Sequence, residues 1–389
     1  MPLTVYVLGL SVFALGTSEF MLAGLLPSIA ADLGVSIPDA GLLISAFAVG
    51  MLAGAPLLAM ATHRLPRRTT LLVMLAVFAA SHALGALAPG YGALFVSRVL
   101  AALACAGFWA AAASTTIGIV AANRRGRALA IITGGLTMAT VAGVPLGTAL
   151  GQHAGWRVAF WAVGGAALVA MVAVAVFVRP TDHPGGRGPL TTELRAYRRP
   201  ALWLALGITA LSTAAITVCF SYLSPLFTDS IGGPAAAVPW VLALYGAGAL
   251  AGITTGGRYA DAHPIGTITG GALIVVAALA VLATAPPVPV ALATITVLGF
   301  GGFAVNPAVN ARVFALAESA PSLAGASNTS AFNAGIVVAP WLGGLTINAG
   351  FGYLSVTWLG IGLAALTLAA TGWAALIQRA SVLPEPVAA

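Results

Sequence analysis

The stretch "FALGTSEFMLAGLLP", residues 13–27, sets a single carboxylate, Glu19, inside an otherwise apolar run. That run extends over residues 4–30, longer than the roughly 20 residues a helix needs to cross a bilayer. Similar runs recur to the end of the chain. Clusters of Pro, Gly and Arg divide them into twelve, near residues 4–30, 40–61, 69–88, 91–119, 128–151, 157–178, 201–226, 237–259, 265–285, 288–315, 325–348 and 352–377. Lipid offers no partner to backbone N–H and C=O groups, and runs this long and uninterrupted do not suit the alternating strands of a barrel. The expected fold is therefore an all-α membrane protein with twelve transmembrane helices.

Composition agrees. Of 389 residues, 60% are hydrophobic and 6% charged, with a mean hydropathy of +1.03, whereas soluble domains carry roughly 25% charged residues. A net charge of +7 raises the question of a nucleic-acid binder, and the placement of the basic residues answers it. All sixteen are Arg. Fourteen fall on one side of the expected topology: Arg64, Arg67, Arg68, Arg124, Arg125, Arg127, Arg179, Arg187, Arg195, Arg198, Arg199, Arg258, Arg312 and Arg379. Arg157 alone lies on the other side, and Arg98 sits inside the fourth span. The positive-inside rule then places both termini in the cytoplasm and the chain in the cell's inner, cytoplasmic membrane. The charge is a topological signal, and no nucleic-acid partner is expected.

Cys105 and Cys219 both fall within spans, so neither a disulfide nor a metal site is expected. The opening "MPLTVYVLGL" lacks the basic region of a signal peptide, and the first span is expected to be retained. No P-loop, HExxH or GxSxG string occurs, which argues against an enzyme and against a nucleotide-driven pump. No cofactor is expected.

The chain also aligns on itself. "VGMLAGAPLLAMATH" (49–63) matches "AGALAGITTGGRYAD" (247–261) at an offset of 198, and Pro145, Leu150 and Ala154–Gly155 meet Pro340, Leu345 and Ala349–Gly350 at an offset of 195. Spans 2 and 5 thereby correspond to spans 8 and 11, as in a parallel repeat of two six-helix bundles. The expected units are residues 1–178, a polar linker at 179–200 with five Arg and four Pro, and residues 201–389 including a short cytoplasmic tail.

Two parallel six-span halves around a midplane site are the plan of a secondary transporter. With "LGTSEFMLAGLLPSIAADLGVS" in span 1, "SAFAVGMLAGAP" in span 2, "NRRGRAL" after span 4 and "GVPLGT...GWRVAFW" across spans 5 and 6, the chain resembles the major facilitator superfamily. Within it the resemblance is to twelve-span drug:proton antiporters, and most of all to the chloramphenicol-resistance exporters of actinomycetes. It is strongest over residues 1–165. The second half resembles a broader group that includes sugar- and nucleoside-efflux proteins. The resemblance implies proton-coupled efflux of a small drug-like molecule, with chloramphenicol or a related antibiotic as first choice. The alternative is export of a sugar, nucleoside or amino-acid-like metabolite. The partners it implies are the small-molecule cargo, protons and the lipid bilayer, with the protein a monomer.

Site roles follow from the same resemblance. The loop "ATHRLPRRTTLL" stands where the family carries motif A, with Ala59, His63 and Pro66 replacing the usual Gly, Asp and Gly and with Arg64, Arg67 and Arg68 retained; Gly257 and Asp261 keep the Gly and Asp spacing in the second half. In the family these loops latch the halves together, although Arg in such a place also simply sets topology. Gly143, Pro145 and Gly147 resemble motif C, where small residues permit close approach and Pro bends the helix.

A carboxylate at mid-span costs about 2.5–3.5 kcal/mol on the translocon scale, so Glu19 needs a partner, water or a proton. No other carboxylate lies deep in a span: Asp32, Asp39 and Asp229 fall at the external side, Asp182, Glu193, Asp261 and Glu318 in cytoplasmic loops, and Glu385 in the tail. Glu19 is the leading proton carrier, since burial favours the protonated form and water or a cation the ionised one. The alternative is a Glu that only holds the bundle together. Arg98 matches the Arg of motif B, whose implied role is to tune that carboxyl; the alternative is a side chain snorkelling to the external surface. His82 and His153 are expected to be interfacial. Expected cargo contacts are Phe20, Phe108, Trp109, Phe220, Tyr222, Asn306, Asn310 and Asn333, a mostly apolar set with a few amides that suits a weakly polar aromatic compound.

Overall fold

A computed structural model of the chain describes residues 1–61, 65–121, 124–179, 199–317 and 321–382. Arg64 lies outside the described residues, as do 180–198 of the expected linker and Glu318 and Glu385. Among the described residues no strand occurs, and twelve helices are long and apolar enough to cross a membrane. They are Leu3–Phe20, Ile37–Gly54, Arg67–Ala86, Tyr91–Ile119, Arg125–Ala154, Trp156–Phe177, Pro200–Ser221, Ala235–Ala260, Pro264–Ala283, Val288–Leu316, Ala324–Phe351 and Ser355–Gln378, numbered spans 1 to 12 below.

Spans 1 and 5 depart from simple rods near the lone acid. Span 1 ends at Phe20, directly after Glu19, and the chain resumes at Met21 as a second helix, Leu22–Leu33, closed by Gly34 at φ 64°. The left-handed backbone at that stop is one that glycine adopts without strain. Span 5 carries a π turn over Ala139–Gly143 immediately before Pro145. Proline has no N–H for the carbonyl four residues back, and a wider turn is a common way to absorb that loss.

Close packing rests on small residues, as lipid supplies no hydrophobic force to drive helices together. A Cβ on Gly248, Gly252 or Gly256 of span 8 would collide with the carbonyl oxygens of Thr296, Phe300 or Ala304 on span 10. At the offset of 198 seen in the sequence, Gly50 and Gly54 of span 2 close on Val99, Ala102 and Ala106 of span 4. The motif C glycines work the same way within the first half: Gly143, Gly147 and Gly151 face Thr17, Met21 and Leu25 of the first membrane segment.

Contacts between spans 1–6 and spans 7–12 gather away from the linker face, the end of the bundle where residues 179 and 199 lie. There the Ser45 hydroxyl donates to the Val337 carbonyl at 2.8 Å, the Gln152 amide to the Ala235 carbonyl at 2.9 Å, and the Tyr222 ring packs against Gly41 of span 2. Gly246 of span 8 sits against the π turn of span 5, where a Cβ would come within 2.7 Å of the Thr140 oxygen. Span 5 therefore touches span 1 on one side and span 8 on the other.

Candidate functional site

Glu19 occupies the last turn of span 1 and is 9% exposed, the only carboxylate buried among the described residues. Its carboxyl receives no hydrogen bond from a described residue. Arg98, fully buried in span 4, is the nearest cation, yet it spends its donors on the residue before Glu19. Nη1 donates to the Ser18 hydroxyl at 2.8 Å and Nη2 to the Ser18 carbonyl at 3.0 Å, while the guanidinium lies 4.4 Å above the Phe47 ring centroid. Its Nε has no partner. Complete burial removes the snorkelling alternative for Arg98.

His82 corrects an expectation. It does not lie at the interface but is fully buried, because span 3 turns that face towards spans 1, 4 and 6. Nε2 is 2.7 Å from the Ser18 hydroxyl and Nδ1 2.9 Å from the Phe78 carbonyl, and the ring packs between Phe78 and Phe160 at centroid distances of 4.2 and 5.7 Å. His153 does end a helix on the exposed side, its ring at 2.8 Å from the Ala149 carbonyl.

Of the residues expected to contact cargo, Phe20 and Phe220 meet edge to face at 6.1 Å across the two halves. The row continues through Tyr245 at 4.8 Å and Phe303 at 6.2 Å, so aromatic rings from spans 1, 7, 8 and 10 form one line. Trp109 is half-buried and stands apart from that row. Phe108 and Tyr222 are both fully buried, Phe108 in the core of the first half and Tyr222 between Gly41 and Gly343, its hydroxyl occupied by Pro340. Neither presents surface to a cavity in this conformation.

The amides group separately, towards the linker face of the second half. The Thr209 hydroxyl donates to Asn328 Oδ1 at 3.2 Å, Asn328 Nδ2 to Asn310 Oδ1 at 2.6 Å, and Asn310 Nδ2 to the Asn306 carbonyl at 2.8 Å. Asn333 gives its Nδ2 to the Thr329 carbonyl at 2.9 Å and leaves Oδ1 buried without a partner. Seven residues of span 10 separate Phe303 from Asn310, about 10 Å of helix.

The basic loop residues hold their own half together. Arg67 lies against Gly118 at the end of span 4, and Arg68 donates to the Ala175 carbonyl in the last turn of span 6, where a cation suits the helix dipole. That departs from a latch made by these two side chains across the halves. A Cβ added at Gly257 would meet only Pro307, at 4.0 Å, and Asp261 is exposed with no described partner. Ser18, Tyr245, Phe303 and Asn328 join the site without having been singled out in the sequence, and His82 joins it from the place expected at the interface. The available signal was modest: a hydroxyl beside the lone mid-span acid, and Phe78 and His82 one helical turn apart.

Residues 8–331 match the profile of the Major Facilitator Superfamily. The chain is 44% identical over 365 residues to a chloramphenicol resistance protein of Streptomyces lividans, covering 92% of both chains. It is 36% identical over 362 residues to the inner membrane transport protein YdhP of Escherichia coli K12, with 93% of each covered. Among solved structures, a bacterial homologue of the human lysosomal transporter Spinster, inward-facing and unoccupied, superposes with a TM-score of 0.80 at 16% identity over 98% of both chains, a likeness of fold. By sequence and by fold, this twelve-span membrane protein belongs to the major facilitator superfamily and is a transporter, not an enzyme.

Proposed function

We propose that the protein works as a monomer in the inner membrane and exports a small drug-like molecule, chloramphenicol or a related amphenicol first among candidates, in exchange for protons. The observation that carries the coupling is the buried Glu19, without a hydrogen bond from any described residue and one residue from the grip of Arg98 on Ser18, beside Phe20, which meets Phe220 of the second half. Such a group is stable in a low-dielectric setting when protonated and becomes ionised when water or a cation reaches it. The cargo reading draws support from the aromatic row and from the Streptomyces relative's name. With the Arg-rich linker face in the cytoplasm, contacts between the halves on the opposite face support an inward-facing state that receives cargo from the cell. If cargo is neutral and one proton enters per cycle, the membrane potential contributes about 2.3 kcal/mol per 100 mV, and the pH gradient adds to it.

The test is drug accumulation in cells or vesicles with and without an imposed proton gradient. Glu19→Gln is expected to abolish uphill export while leaving membrane insertion intact; a Glu19→Gln protein that still concentrates drug against a gradient removes Glu19 from the mechanism. The amide group on spans 10 and 11 favours the second reading, a sugar, nucleoside or amino-acid-like cargo, and protection across a compound panel separates the two.

A further inference from the structure

His82 has no part in the proposal above, yet its hydrogen bonds admit only one arrangement. Arginine donates and never accepts, so the Ser18 oxygen is the acceptor from Arg98 Nη1. A main-chain carbonyl only accepts, so His82 Nδ1 carries the proton that goes to Phe78. The remaining proton, on the Ser18 hydroxyl, then points to His82 Nε2 at 2.7 Å. A neutral imidazole satisfies every group. A protonated one would aim a second cationic donor at an oxygen already held by a guanidinium.

We propose that His82 is a positioning residue: by accepting the Ser18 proton it fixes the Ser18 oxygen as a receptor for Arg98, and so parks the guanidinium away from the Glu19 carboxyl. The arrangement is built, since the ring is buried and packed between Phe78 and Phe160. The titratable groups around it are Glu19 on span 1 and Arg98 and Cys105 on span 4. Span 6 presents Phe160 there, with Arg157 one turn away and engaged with Asp32, and Arg67 and Arg68 lie at the opposite end of span 3. Release of Arg98 from Ser18 frees a cation one residue from the acid, and Arg98 Nε already lacks a partner. The inference rests on the reading of Glu19 as proton carrier.

Infrared titration of the purified protein in lipid nanodiscs tests it without any ligand. The carbonyl stretch of a protonated carboxyl that disappears in Glu19→Gln reports Glu19. His82→Phe keeps the ring's shape and removes the acceptor, and Ser18→Ala removes the bridge. Each is expected to move the midpoint of that band about one pH unit lower, the effect of a cation allowed closer to a carboxyl. His82→Gln, which returns an acceptor near the Nε2 position, is expected to restore the midpoint, as a loss of packing alone would not. An unchanged midpoint in folded His82→Phe and Ser18→Ala overturns the positioning role while leaving Glu19 as carrier. A protonated-carboxyl band that survives Glu19→Gln, with none lost, overturns both.

Discussion

An acid and a base buried in the same membrane interior would ordinarily be expected to pair, because each alone is costly there. Here the base is satisfied by Ser18 and the acid stands free, so the two charges are adjacent without being neutralised by contact. The contrast at the far end of the same segment is instructive. Asp32 is bonded by Arg157 and by Trp156 Nε1 at 3.1 Å, with Arg157 also 4.3 Å above the Trp156 ring. Those hydrogen bonds hold the Asp32 carboxyl below its ordinary value. A depressed carboxyl contributes stability above its unfolded pKa, near 4, and loses it as pH falls through the lower folded value. Asp32→Asn is therefore expected to lower the melting temperature slightly at neutral pH and to match the parent once the pH has fallen below the lowered folded value, in thermal scans of detergent-solubilised protein. The effect is small, for the side chains are 39% and 45% exposed and solvent screens them. Glu19 and Arg98 stood out in the sequence by their rarity in apolar spans, but that Arg98 holds Ser18 rather than Glu19 did not. The burial of His82, Phe108 and Tyr222 was not legible either, because in a chain 60% hydrophobic the lipid-facing and bundle-facing sides of a span are equally apolar, and periodicity no longer says which side chain looks inward.

Elements in this fold are held by seams of glycine. Span 8 lays Gly248, Gly252 and Gly256 along carbonyls of span 10 one helical turn apart, and the spacing of four was readable because it repeats one from span 2. Number and approximate extent of the spans were also readable, since crossing a bilayer is a test of length and apolarity. The stop at Met21 and the π turn ahead of Pro145 were less so: Pro145 announced a bend, but the form the backbone takes is decided by Thr17, Gly246 and the neighbours that press on it. A seam of this kind predicts sharp intolerance. Gly252→Ala puts a methyl onto the Phe300 carbonyl, backbone against backbone, and is expected to cost about 1–3 kcal/mol, as overpacking does. Gly270→Ala in span 9 meets nothing within 4 Å and is expected to leave the melting temperature unchanged or slightly raised. Equal melting temperatures for the two variants would mean that the seam yields freely.

For the whole molecule, alternating access requires the contacts on the face away from the linker to be temporary. Ser45 on Val337, Tyr222 within the notch of Gly41 and Gly343, and Gly344 on Pro38 form a clasp of one hydrogen bond and small-residue contacts. Such a clasp is cheap to open, because its bond joins a hydroxyl to a carbonyl and no charge is stranded by separation. It also offers a direct measurement. A Cβ at Gly344 would stand 3.3 Å from the Pro38 Cβ, close to the usual Cβ separation of a disulfide, about 3.8 Å. In a background with Cys105 and Cys219 replaced by Ala, the pair Pro38→Cys and Gly344→Cys is expected to cross-link on mild oxidation, to stop transport completely while cross-linked, and to regain it on reduction. Either single cysteine is expected to transport through the same treatment. A cross-linked protein that still carried cargo at the uncross-linked rate would show that these two ends never part, and the rocking of the halves would have to be abandoned in favour of a path within one of them.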